Sequence, residues 1–85
     1  MTAYVVLREG AGVDVLGVTF SWLAGRSVAQ EAIINSRERV VEAWSITLHS
    51  SPALSCLTDQ ALYKVEEHEF TERLTGGRVI LRGRL

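Results

Sequence analysis

The sequence predicts an α+β fold: a small antiparallel sheet with N-terminal and C-terminal hairpins and one or two helices packed on it. Three observations predict it. Two runs rich in β-branched and aromatic residues, "AYVVLR" and "VDVLGVTF", flank a break with two glycines near the start. The pattern then changes to a helical period at "SVAQEAII", and the tail sets Gly76-Gly77 between two alternating runs. At 85 residues the chain is expected to form one domain over 1–85. A chain of this length buries only about 60–65% of the surface its unfolded form exposes.

Residues 3 to 8 and 13 to 20 form the first expected hairpin, because "EGAG" between them supplies two glycines for positive φ. Apart from Arg8 and Asp14 both runs are apolar on both faces, so this part of the sheet is expected to be covered on one side and contacted on the other. Ser27 followed by Gln30 three residues later resembles a capping box, and Val28, Ala29, Ala32 and Ile33 make one stripe, which predicts a helix from about 27 to 36. Residues 40 to 48 fit both periods, but their composition favours a central strand.

Residues 51 to 66 also fit both periods. Ser51 before Pro52 suits a helix start, and Leu54, Leu57, Ala61 and Val65 would then share a face; this is the second helix. The alternative is a loop to about Thr58 and then a strand through Tyr63 and Val65. In the tail, a two-residue turn at Gly76-Gly77 sets Thr75 opposite Arg78, Arg73 opposite Ile80, Thr71 opposite Arg82 and Glu69 opposite Arg84. Phe70, Leu74, Val79, Leu81 and Leu85 then take the other face, and a one-residue slip would send the arginines there. The tail hairpin is expected to join the rest in one sheet.

Hydrophobic residues make up 47% of the chain and the net charge is −1. A near-neutral domain argues against a general polyanion binder. The charge is nevertheless divided: residues 59 to 72 carry Asp59, Glu66, Glu67, Glu69 and Glu72 against Lys64, a net of −4, whereas Arg73, Arg78, Arg82 and Arg84 give 73 to 85 a net of +4. One cysteine forms no internal disulfide, the start shows no basic region of a signal peptide, and the apolar run from Val15 to Gly25 is too short for a membrane span. A cytoplasmic protein, or one assembled within a particle made in the cytoplasm, is the expectation, with no membrane partner.

Cys56 with His49, His68 and Asp59 is the set that would suit a small thiol enzyme, but a cysteine between Leu54 and Leu57 reads first as a small buried hydrophobe. The spacing lacks paired cysteines or histidines, so no metal is expected, and "GAG" at 10 to 12 lacks the rest of a dinucleotide fingerprint, so no cofactor is expected. The glutamates read as a solvated face, and no catalytic residues are assigned. Trp44 is expected in the core and Trp22 at a contact surface.

By elimination the sequence suggests a small non-enzymatic assembly or interaction protein. Such a chain would be a subunit of a larger complex such as a viral particle, or an inhibitor of a larger machine. It would bind protein partners or itself through a sheet edge and apolar surface. The residues singled out for that contact are Trp22, Arg78, Ile80, Arg82 and Arg84. A nucleic-acid or nucleoprotein binder using the same arginines is the alternative; it lacks local aromatics for base stacking and sits beside repelling glutamates.

Overall fold

In the computed structural model, residues 1–48, 52–69, 71–75 and 78–82 are described. The chain runs β1 (Thr2–Glu9), β2 (Val13–Thr19), α1 (Trp22–Ser36), β3 (Val40–Leu48), β4 (Pro52–Thr58), β5 (Leu62–Glu69), β6 (Thr71–Thr75) and β7 (Arg78–Arg82). Strands β1 to β5 form one sheet in the order β2-β1-β5-β4-β3, antiparallel throughout, and β6 and β7 form a separate two-stranded ribbon. The α+β class, the N-terminal hairpin and a strand over 40–48 are as the sequence predicts, although that strand lies at the edge of the sheet and not at its centre.

The β1–β2 hairpin carries a bulge: Val6 pairs Gly17 and Leu7 pairs Val15, so Leu16 is the extra residue. Helix α1 starts at Trp22, five residues earlier than expected. Its cap is Ser21, whose Oγ accepts the Ala24 N–H at 3.1 Å, while Ser27 lies mid-helix and donates its hydroxyl to the Leu23 carbonyl. The helix stops at Arg37, which turns into the left-handed region at φ 56 and donates its N–H to Ile34 O at 3.2 Å.

The expected helix over 51–66 is absent. Pro52 opens β4 instead, and Thr58 Oγ accepts the N–H groups of Gln60 (3.2 Å) and Ala61 (3.0 Å), closing a tight turn that sends the chain back as β5. Strands β4 and β5 therefore pair along their length, Leu54 with Val65 and Cys56 with Tyr63. Two faces of apolar residues, not one helical stripe, are what 52–66 encodes.

Val6, Ala29, Ile33, Cys56, Ala61, Tyr63 and Val65 form the buried core between the helix and the sheet. Gly25 makes the approach possible: a Cβ there would lie 2.6 Å from Val65 Cγ1 and 3.5 Å from Val6 Cγ2. The helix packs on β1, β2 and β5. Because it is offset towards that side, the same face is open at the Ile46–Leu54 end of β3 and β4, while Cys56 and Trp44 still pack in or against the core.

The ribbon has the expected register, with Thr75 opposite Arg78, Arg73 opposite Ile80 and Thr71 opposite Arg82. It does not belong to the main sheet, which corrects the single-sheet expectation. Glu69 is not part of it either: it ends β5 opposite Thr2 and lies 3.9 Å from the N-terminal amine. The Gly76-Gly77 turn, His49, Ser51, Phe70, Arg84 and Leu85 lie outside the described residues.

Candidate interaction site

Trp22 opens the helix half-buried, its ring 4.7 Å from that of Tyr4 on β1 and tilted by 55°. Just beyond it lies the uncovered part of the sheet. Trp22, Ile46, Pro52, Leu54 and Glu67 line a groove there of about 450 Å³. Strand pairing sets Ile46 beside Leu54 and Leu54 beside Val65, so all three occupy the face that the helix covers elsewhere. Ile46, on the edge strand β3, is 71% exposed, an unusual state for an isoleucine on the core-facing side of a sheet.

One wall of the groove is charged. Glu67 follows Tyr63 and Val65 at alternate positions of β5, so it takes the next place in an otherwise apolar row. The Tyr4 hydroxyl donates to its Oε1 at 3.4 Å. Loss of water, and then the Glu67 carboxylate, push the Tyr4 pKa up, so that hydroxyl remains a donor at neutral pH. The groove thus offers aliphatic and indole surface next to a carboxylate, which suits an aliphatic side chain flanked by a cation.

At the far end of the same face, Glu38 is a rival candidate. Its side chain is inaccessible and is held by Thr58 Oγ1 at 2.6 Å, Tyr63 OH at 2.6 Å and Arg8 Nη2 at 3.2 Å, while Arg8 Nε also donates to the Tyr63 oxygen at 3.0 Å. Burial alone would raise the Glu38 pKa; the hydrogen bonds from Thr58, Tyr63 and Arg8 outweigh it and hold the carboxyl below its ordinary value. The Tyr63 pKa is raised, by burial first and by the Glu38 hydrogen bond next. A carboxylate made more acidic and fully occupied by donors is a weak base, so this cluster ties the helix exit to β1, β4 and β5.

Among the described members of the thiol set, Cys56 and His68 are not brought together. Cys56 pairs with Tyr63 on the helix side, whereas His68, five residues along β5 from Tyr63, falls on the opposite face near Glu66 at 3.4 Å. Burial raises the Cys56 pKa, with Arg26 opposing, which keeps it a thiol. Asp59 Oδ1 accepts the Arg39 backbone N–H at 3.0 Å in the turn before β5. Among the described residues no group of three or more His, Cys, Asp or Glu side chains is placed to hold a metal, and no helix is long and apolar enough to cross a membrane.

Of the five contact residues that the sequence singles out, Trp22 lines the groove, and Arg78, Ile80 and Arg82 occupy alternate positions of β7. Trp44, expected inside the core, is like Trp22 half-buried against it, its indole N–H bonded to Gln30 Oε1 at 3.0 Å and the Arg26 guanidinium 5.9 Å from its ring centroid. Sequence reasoning misses Ile46, Pro52, Leu54 and Glu67. The alternation in "PALSCLT" and the place of Glu67 in the Tyr63–Val65 row are the signals that would find them. Comparison with protein-family models, characterised proteins and solved structures finds no match.

Proposed function

We propose that this chain is a small non-enzymatic assembly protein that binds other protein chains through the open β3 side of its sheet. The observation that carries this reading is the 71% exposure of Ile46 beside the Trp22–Leu54 groove. Strand β3 is also an edge of the five-stranded sheet, where unpaired backbone groups accept a neighbouring segment. A reducing cytoplasm suits the lone buried thiol of Cys56.

The test is the hydrodynamic size of the protein, purified and in extract of its source cells, for the wild type and for Ile46→Lys. The wild type is expected to run above monomer size in at least one setting. Because residue 46 faces solvent, the lysine variant should keep the wild-type melting temperature while shifting to monomer. A wild-type chain that is monomeric in both settings defeats the reading. Salt-sensitive binding of duplex or single-stranded probes, lost in Arg78→Ala/Arg82→Ala, would reassign the ribbon to phosphate contacts.

A further inference from the structure

We infer that the groove's occupant is the C-terminal ribbon of a second copy of this chain; this rests on the assembly reading and names its partner. The groove calls for an aliphatic side chain with cations beside it, as its lining of Trp22, Ile46, Leu54 and Glu67 dictates. Strand β7 reads Arg-Val-Ile-Leu-Arg, so alternation gives Arg78, Ile80 and Arg82 one face of the ribbon, with Ile80 between the two cations. The register adds Arg73, opposite Ile80, to the same face.

Charge complementarity points the same way. Glu67 sets a carboxylate on the groove wall, while the charged residues of 73 to 85 are arginines alone, a net of +4, so one copy's tail brings cations to the acid of the next. Laid face to face over β3 and β4, the ribbon would cover Ile46 and Leu54 with Ile80 and bring guanidiniums to Glu67 and the Trp22 ring. Groove and ribbon are different surfaces of one molecule. The contact closes as a dimer where each copy's ribbon seats in the other's groove, and otherwise runs head to tail into a ring or an open chain.

Sedimentation of the full chain across a concentration series, at low and high salt, tests this with Glu67→Arg and with Arg78→Glu/Arg82→Glu, each alone and mixed in equal amounts. The wild type should self-associate, more weakly at high salt. Each variant alone should need about tenfold or more protein to associate. The mixture should recover association, because each reversed surface then meets an opposite one. Recovery also shows that both variants are folded, and Glu67→Gln, expected to weaken association without reversing it, is the milder probe should the arginine unfold the chain.

Association of either variant at the wild-type concentration, or a mixture of folded variants that stays monomeric, overturns the ribbon-in-groove contact. A purified wild type that is monomeric at every concentration overturns the second copy as partner. If that chain still runs large in source extract, the assembly reading stands without it.

Discussion

Glu38 shows how one residue's charge is tied to the stability of the fold. Its carboxylate accepts from a threonine, a tyrosine and an arginine drawn from β4, β5 and β1, so neutralising it weakens three attachments at once. The folded-state pKa lies below the ordinary 4.5, so on acidification the unfolded chain takes up this proton first. The stabilisation is complete above the ordinary value and drains away as pH falls through the folded one. Glu38→Gln should lose about 1–3 kcal/mol at neutral pH, since a buried acceptor site becomes an amide facing three donors. The gap between wild type and variant should narrow as pH falls through the folded-state pKa and close once both are neutral, in urea melts across the acid range. A gap of constant size would show that the charge contributes nothing.

Gly25 shows, at the level of an element, what the sequence conceals. In isolation, alanine in place of a mid-helix glycine stabilises by about 1 kcal/mol. Here the added methyl meets Val65 Cγ1 at 2.6 Å and Thr19 Oγ1 at 3.2 Å. Val65 is β-branched and wholly buried, so it has no room to yield, and overpacking of this kind costs about 1–3 kcal/mol. Gly25→Ala should therefore lower the urea midpoint; a higher midpoint would mean that the helix shifts freely on the sheet. The Ser27–Gln30 pair points to a helix start near 27, whereas the helix starts at Trp22 and takes in Gly25. "LAG" resembles a flexible break, and only the packed structure shows the glycine as the point of closest approach.

The other misreading has the same origin. The stretch 52–66 satisfies a helical stripe and two alternating strands equally well, and the deciding feature is the Thr58–Ala61 turn, whose hydroxyl-to-backbone bonds were available in "TDQA" as a turn signal. The first hairpin is legible in two β-branched runs around a short break, although neither Gly10 nor Gly12 takes the positive φ expected of it, and the ribbon is legible in the alternation that fixes its register. The groove is less legible, because Trp22, Ile46, Leu54 and Glu67 meet only once β3, β4 and β5 take their register and the start of the helix stops short of covering them.

For the whole molecule, the sheet order fixes where the protein is closed and where it is open. Strands β1 and β5 sit centrally, with Val5, Val6, Tyr63 and Val65 at most 2% exposed, while β2 and β3 are edges with exposed valines and isoleucine. Amide exchange should follow that order, slowest in β1 and β5 and fastest along β2 and β3, because edge backbones open without disrupting the core. Both edges are apolar: Val13, Val15 and Val18 on β2 are 66%, 64% and 56% exposed. Exposure alone therefore does not select between them. What distinguishes β3 is the groove beside it: the helix packs along β2, whereas it meets β3 at Trp44 and leaves Ile46 uncovered. On raising the concentration from the monomer to the associated range, exchange should slow in β3, in β4 and at the start of the helix near Trp22, with β2 unchanged, as followed by mass spectrometry of peptic fragments. Slowing confined to β2 would move the interface to the opposite edge, and with it every role assigned here to Ile46 and Glu67.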